Sequence, residues 1–349
     1  MGVRIFMNID LFNFNLPQEL IAQKPIGDRK DSKMMVLNRN THTINHRKFY
    51  EIINYLDKDD VLVLNDTRVF CARVNGFNIE TDGKMEFLLL KNLGDNLWEV
   101  MCRPGKRALV GRKFSFSRGR IIAEVIDIMK CGNRIVKFYT NENFYELLGQ
   151  VGDIPLPPYI REKLDNFDRY QTVYSRKIGS VASPTAGLHF TEHLIQDIVR
   201  KGIKIAYVTL HIGMGTFMPV RVKNLEYHKM HSEYFEISKK TCDEINLCKL
   251  RGNKVIAVGT TTVRVLETVA SKSNDGLLYE CSGETDIFIK PGYDFKIVDS
   301  LITNFHLPKS TLLILVSAFY NRDRIMNAYS EAILNKYRFF SFGDSMFLM

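Results

Sequence analysis

What is scarce in these 349 residues excludes a good deal. The six cysteines stand far apart, at 71, 102, 131, 242, 248 and 281, and no two form a Cys-x-x-Cys pair. A zinc ribbon and a thioredoxin-like motif are therefore ruled out, and so sparse a set fits reduced thiols rather than a disulfide framework. Long apolar runs are missing too. The most notable, Leu312 to Val316, is far too short to span a bilayer. The opening Met1-Gly2-Val3-Arg4-Ile5-Phe6 lacks a basic-then-apolar signal, and Phe6 sits where myristoylation needs Ser or Thr. These absences predict a soluble, cytoplasmic protein without a membrane partner. Nucleotide fingerprints are also absent: Gly213 and Gly215 lack the third glycine of Gly-x-Gly-x-x-Gly, and there is no Walker-type loop. That counts against a Rossmann oxidoreductase, an ATPase and the common methyltransferase fold.

Charge is present in excess of one sign. Lys and Arg number 48 against 39 Asp and Glu, a formal charge of +9. Such a balance points to a polyanionic partner, although a Lys-rich solvated surface gives the same sum. The apolar and charged fractions, 45% and 25%, are those of an ordinary globular chain and argue against long disorder.

Along the chain the texture changes twice. Residues 17–64 read as mixed α/β, with a short helix opening after Pro17, buried-strand runs at Met34–Leu37 and Val61–Leu64, and a helix over Phe49–Leu56. From 68 to 139 come short alternating segments, Phe70–Val74, Met85–Leu90, Trp98–Cys102, Lys113–Phe116, Ile121–Ile128 and Arg134–Tyr139, separated by Gly, Asn and Asp, the pattern of a small antiparallel β-barrel. After the Pro-rich stretch 152–159 the α/β texture returns, with helices near 194–200, 239–250, 261 onward, 311–320 and 323–336, and strands at 203–211 and 255–258. The expected fold is a discontinuous mixed α/β catalytic domain, 1–66 and 153–349, carrying an inserted antiparallel β-barrel domain over 67–152.

Three stretches concentrate small, hydroxylated and titratable residues. They are Gly179–Thr191, which delivers His189 after a Gly/Ser/Thr-rich loop; Thr209–Phe217, a strand end followed by Gly213-Met214-Gly215; and Val258–Arg264, with Thr260, Thr261 and Thr262 at a strand-to-helix junction. Turns with caps would look similar singly. Three in one domain point to a ligand site, which in α/β sheets lies at the carboxyl ends of strands. His189 and His193 are spaced i, i+4, but Phe190 replaces the Glu of the metalloprotease pattern, and His228 and His231 lack a zinc spacing, so no metal is expected. In the insert, Arg103-Pro104-Gly105-Lys106-Arg107 with Arg112, Lys113, Arg118 and Arg120 could meet phosphates or form a solvated rim.

These stretches are also where the chain resembles a known family, the S-adenosylmethionine:tRNA ribosyltransferase-isomerases of queuosine biosynthesis. The matching segments are Leu16–Pro25, Asn65–Val69, Arg103–Arg107, Pro155–Ile160, Arg169–Tyr174, Pro184–Thr191, Thr209–Gly213, His228–Glu233, Ala257–Thr261, Leu301–Leu313 and Tyr337–Asp344, in order from about Met7 to the end. Departures are few: residues 1–6 precede the usual start, making Met7 a candidate initiator, Lys30 and Lys33 replace an acidic residue and an Arg, and Ser183 replaces an Ala. Lys33 cannot make the bidentate fork of an Arg.

The resemblance implies an α/β domain interrupted by a β-barrel. It implies transfer and isomerisation of the ribosyl portion of S-adenosylmethionine onto 7-aminomethyl-7-deazaguanine at the tRNA wobble position, giving epoxyqueuosine, adenine and methionine. S-adenosylmethionine is then a substrate, and no prosthetic group is needed. The expected roles follow the motifs. His189 and His306 are acid/base candidates, and Asp66, Glu233 and Glu267 offset positive charge on the sugar or sulfonium. Thr185, Gly187, His211, Gly213, Gly215, Thr216, Thr260, Thr261, Thr262 and Arg264 would hold S-adenosylmethionine. Arg68, Arg103, Lys106, Arg107, Arg169 and Arg338 would hold tRNA. A monomer or weak homo-oligomer is expected. Two competing readings are an S-adenosylmethionine-dependent tRNA methyltransferase and a non-catalytic RNA-binding protein.

Overall fold

Val61 to Leu64, Val255 to Val258 and Leu301-Ile302 are unbroken apolar runs, the composition of strands covered on both faces. The structure, a computed structural model, describes residues 7–162, 164, 166–217, 220 and 222–349, without the side chains of 216 and 217. It divides into two compact units, 1–67 with 158–177 and 183–349, and 68–157 with 178–182. The sequence pattern placed the insert at 67–152; the second unit instead extends through the Pro-rich stretch and takes in 178–182.

Among the described residues of the first unit, nine strands form one mixed sheet. They are β1 (Lys33–Leu37), β2 (Ile44–Lys48), β3 (Val61–Asn65), β4 (Lys204–Leu210), β5 (Glu233–Ile237), β6 (Val255–Val258), β7 (Cys281–Thr285), β8 (Ser300–Asn304) and β9 (Ser345–Leu348), in the order β7-β5-β4-β3-β6-β8-β9-β1-β2. The central β4, β3, β6 and β8 are mutually parallel, so their carboxyl ends share one edge. On one face Leu62, Leu64, Ile256, Val258 and Ile302 pack with Leu194 and Ile198 of helix α1 (Glu192–Arg200) and with Phe49 and Ile52. Helix α2 (Lys239–Leu250) packs on β3, β4 and β6. Helix α3 (Thr260–Ser271) packs on the same strands and is buried along its length from Thr260 to Ala270. Helices α4 (Thr311–Phe319) and α5 (Arg322–Leu334) pack on each other.

In the second unit, six strands close a barrel in the order 73–78, 84–94, 97–103, 134–139, 121–128, 113–116, with 113–116 pairing back to 73–78. Closure removes the exposed edges that an open small sheet would present. Its interior is aromatic: the Phe87 ring lies 5.2 Å from Phe114 and 5.1 Å from Phe116.

Some local expectations are corrected. The segment after Pro17 makes only a 3-10 turn, Gln18–Leu20, whereas the helix expected over Phe49–Leu56 is present as a 3-10 helix, Phe49–Tyr55. The insert is not purely β. Phe144–Val151 is a helix with Asn143 as its cap, and Leu147 and Leu148 are buried. Strands β2, β5, β7 and β8 also escaped the pattern.

A candidate binding pocket at the strand ends

The site is built where β3, β4, β6 and β8 end. Gly259 follows β6 with φ of +89°, a left-handed conformation that L side chains rarely adopt, and it turns the chain directly into α3. Its backbone N–H donates to Ile302 of β8 at 2.8 Å. No side chain caps the start of α3, whose first residues Thr260 and Thr261 face a pocket. The other walls come from 183–186, from Ile212 after β4, from Thr303–Leu307 at the end of β8, from Ser310 and Leu312 at the start of α4, and from Tyr159, Phe340 and Ser341. Apart from the buried His306 and the Tyr159 phenol, the described lining carries no titratable group, and it holds no carboxylate, lysine or arginine.

Asn65 ties the strand ends together. Its side-chain amide donates to the Leu210 carbonyl at 3.1 Å and to the Thr261 hydroxyl at 3.2 Å, while its Oδ1 accepts from the Leu210 and Thr67 N–H groups. Asp66, next in the chain, is buried; it accepts the Thr209 hydroxyl at 2.7 Å and pairs with Arg176 at 3.0 Å. His211 shares a 2.8 Å hydrogen bond with Thr67, stacks on Tyr234, and has its pKa lowered by burial.

The two leading histidines differ in place. His306 lines the pocket and shares a 2.8 Å hydrogen bond through Nε2 with Thr303. Burial pushes its pKa down to about 3. His189 lies behind the wall. Its Nδ1 meets the Ser32 hydroxyl at 2.8 Å, its Nε2 meets Asn304 Oδ1 at 3.3 Å, and burial lowers its pKa to about 4. Asn304 in turn donates to the Phe340 carbonyl at 2.9 Å, so His189 reaches the pocket only through that amide. Both imidazoles are neutral at pH 7 and can accept a proton or hold a hydrogen bond; delivering one as imidazolium runs against their burial.

Several expected contacts turn out to support the architecture. Glu233 accepts the Gly213 N–H at 2.9 Å and forms a buried ion pair with Arg264, whose guanidinium also donates to the Thr285 carbonyl at 3.1 Å. The pair thus fixes the Gly213–Gly215 turn, and Arg264 is spent inside the domain. Glu267 does not reach the pocket. Its carboxylate accepts the backbone N–H groups of Lys296, Ile297 and Val298 and the Tyr293 hydroxyl, so both oxygens are engaged away from the pocket. Thr262 donates to the Val258 carbonyl at 2.7 Å and faces inward. Gly187 is required by packing, since a Cβ there would overlap the Tyr174 hydroxyl and come within 2.8 Å of the Thr172 methyl. A Cβ at Gly215 would strike the His231 ring, and the Thr216 side chain lies outside the described residues. Thr185 does line the pocket.

The basic residues fall into two sets. In the first unit Arg169 donates to the Ile26 and Gly27 carbonyls and Arg338 to the Lys24 carbonyl, so both guanidinium groups tie down segment 24–27. Arg29 donates to the Asp168 carbonyl at 2.8 Å beside them. In the barrel unit Arg68, Arg103, Lys106 and Arg107 are exposed. The 103–108 loop is pinned by Arg134, which donates to the Gly105 and Ala108 carbonyls. Arg112 and Arg120 are paired with Glu80 and Glu142. Sequence reasoning missed Asn65, Tyr159, Thr303, Asn304 and Ser341. The quoted motifs contain all five, but nothing in their residue types singled them out.

Fold and site together define an α/β protein with an inserted six-stranded barrel and a ligand pocket at the carboxyl ends of parallel strands. Comparison with known proteins narrows this. A family model described as queuosine biosynthesis protein matches residues 9–348, and this chain belongs to that family. It is 55% identical over 342 residues, 98% of this chain and 100% of the relative, to the S-adenosylmethionine:tRNA ribosyltransferase-isomerase of Acetivibrio thermocellus. It is 54% identical to the protein of the same name from Clostridioides difficile, over 97% of this chain and 98% of that one. A crystal structure of S-adenosylmethionine tRNA ribosyltransferase from Thermotoga maritima is similar at 37% identity with a TM-score of 0.57, covering 97% of this chain and 100% of the other. No described helix is long and apolar enough to cross a membrane, and no described cluster of His, Cys, Asp or Glu could hold a metal.

Two outcomes follow from this geometry. Glu267→Ala leaves three backbone donors unpaired, so it should cost on the order of 3 kcal/mol in stability. In chemical denaturation the midpoint should fall, while ligand affinity of the folded fraction stays unchanged. The histidines make a pH signature. Their folded pKa values lie below the ordinary 6.5, so the unfolded chain binds more protons between about 4 and 6.5. Stability must therefore drop as pH falls through 6.5, by up to about 1.4 kcal/mol per pH unit for each histidine. Melting curves from pH 8 to 5 should show the decline, and His189→Gln should make it shallower.

Proposed function

We propose that this protein is an S-adenosylmethionine:tRNA ribosyltransferase-isomerase, which transfers and isomerises the ribosyl portion of S-adenosylmethionine onto 7-aminomethyl-7-deazaguanine in the wobble position of tRNA. The observation that carries the reading is the 55% identity across 98% of the chain to a curated relative of that name. The geometry supports it. The pocket is walled by Tyr159, Phe305 and Phe340 and edged by hydroxyls and an amide, groups whose chemistry suits a nucleoside. The uncapped start of α3 supplies backbone N–H groups and a positive dipole end at Thr260 and Thr261, which would steady negative charge on adenine as its bond to the sugar breaks. His306 is the neutral group placed to take a proton or hold a hydrogen bond at the reacting sugar. His189 orients Asn304. Asp66, at the end of β3, is the carboxylate that would offset the sulfonium charge, with His211 at the end of β4.

The tRNA reading rests on charge. Arg103, Lys106 and Arg107 project from a pinned loop of the barrel unit, and Arg29, Arg169 and Arg338 gather around segment 24–29 of the α/β unit. Phosphates would be met by both sets, with the target base splayed from its stack. The protein works in the cytoplasm, as a monomer or weak homo-oligomer.

Incubation with precursor tRNA and labelled S-adenosylmethionine should release free adenine and methionine. Release of S-adenosylhomocysteine instead would establish a methyltransferase, and no turnover of S-adenosylmethionine would leave a binding protein. Reversing charge with Lys106→Glu and Arg107→Glu should weaken tRNA binding by about tenfold or more at low salt and flatten its salt dependence by roughly two phosphate contacts. Filter binding across a salt series reads both, and an unchanged curve assigns the loop to a solvated rim.

A further inference from the structure

We infer that the Ser183 hydroxyl binds the edge of the adenine base in the strand-end pocket, an inference that rests on that pocket being the S-adenosylmethionine site. Ser183 lines the pocket, is only 4% exposed, and its Oγ is buried without a hydrogen-bond partner. Four other hydroxyls of the pocket wall are satisfied. Thr261 receives a hydrogen bond from Asn65, Thr303 meets His306, Ser310 donates to the Leu307 carbonyl, and Ser341 shares a 2.7 Å hydrogen bond with Tyr159. Buried hydroxyls that find no partner are uncommon because they lose water and gain nothing in return, so one carried by a residue of the pocket wall points to a group that arrives with the ligand.

Its position says which part of the ligand. The buried Tyr170 hydroxyl, itself without a partner, lies near both the Ser183 backbone and the Ser341 side chain, which puts Ser183 toward the end of the pocket formed by Tyr159, Phe340 and Ser341. The Tyr159 and Phe340 rings are 4.8 Å apart and tilted by 56°, offering flat apolar surface to a planar heterocycle. Among the described lining residues this end carries no ionised side chain, which suits a neutral purine and not the charged amino-acid portion of S-adenosylmethionine. A hydroxyl can both donate and accept, matching the alternating donors and acceptors on a purine edge.

The test is equilibrium binding of S-adenosylmethionine and of free adenine to the full chain and to Ser183→Ala. The substitution should weaken S-adenosylmethionine three- to tenfold and adenine by the same factor. It should raise KM more than it lowers kcat, and leave the ligand-free melting temperature equal or higher, because an unpaired buried hydroxyl is removed. Unchanged affinity for S-adenosylmethionine overturns the inference, since the hydroxyl then meets only water. So does a loss for S-adenosylmethionine without one for adenine, which would move the contact elsewhere on the ligand. Leu312→Trp, which fills the pocket, separates the two levels. If that variant folds and still binds S-adenosylmethionine normally, the pocket assignment itself fails. If it abolishes binding while Ser183→Ala changes nothing, only the Ser183 contact is lost.

Discussion

Four neighbouring strands running in one direction bring their carboxyl ends to a single sheet edge, and the candidate site depends on that alignment. Parallel pairing of β4, β3, β6 and β8 sets Asn65 and Asp66, His211 and Ile212, Gly259 to Thr261, and Thr303 to His306 side by side, although up to about 240 residues separate them in the chain. Asn65 then uses its donors and acceptor on two strands and a helix start, so a small shift of any strand would break several hydrogen bonds at once. The left-handed Gly259 lets β6 pass straight into α3, which keeps the positive helix end at this edge.

The electrostatics of the domain are divided between interior and rim. Charges that are fully buried hold the scaffold: Glu233 with Arg264 positions the Gly213–Gly215 turn, and Glu267 organises the loop from Tyr293 to Val298. The pocket itself is lined by hydroxyls, amides, aromatic rings and a histidine kept neutral by burial. A neutral chamber of this kind can take an uncharged group without the cost of desolvating fixed charges, and the exposed Arg176, paired with the buried Asp66, stands outside its lining.

Elements whose own residues carry their pattern were legible. Lys239–Leu250, Val255–Val258, Lys113–Phe116, Ile121–Ile128 and Arg134–Tyr139 run in the structure over the residues that the sequence pattern marks, because caps, buried apolar runs or strict alternation define them locally. Cys281–Thr285 was missed, since its polar composition becomes a strand only by pairing at the sheet margin, and Glu233–Ile237 was missed although Tyr234, Phe235 and Ile237 give it strand composition. Ser300–Asn304 was missed because its polar ends, Ser300, Thr303 and Asn304, interrupt the apolar run although all are buried. At the site, the three Gly/Thr/His-rich stretches do supply pocket walls, but residue type alone did not distinguish Thr261, which faces the pocket, from Thr262, which faces the core.

By itself the sequence determined the class of sheet, the presence of a β-barrel insert and, through long ordered motifs, the family, because these depend on local periodicity and on strings of adjacent residues. Only the tertiary structure decided which polar groups confront a ligand and which confront each other. His189 meets Ser32 across 157 positions and Asn304 across 115, and Arg264 finds Glu233 across 31. Whether a histidine is an acid, a neutral hydrogen-bonding group or a brace depends on burial and on those distant partners, and neither is encoded in the residues next to it. The same holds for Ser183, one serine among many in the chain until its neighbours in space leave it without a partner.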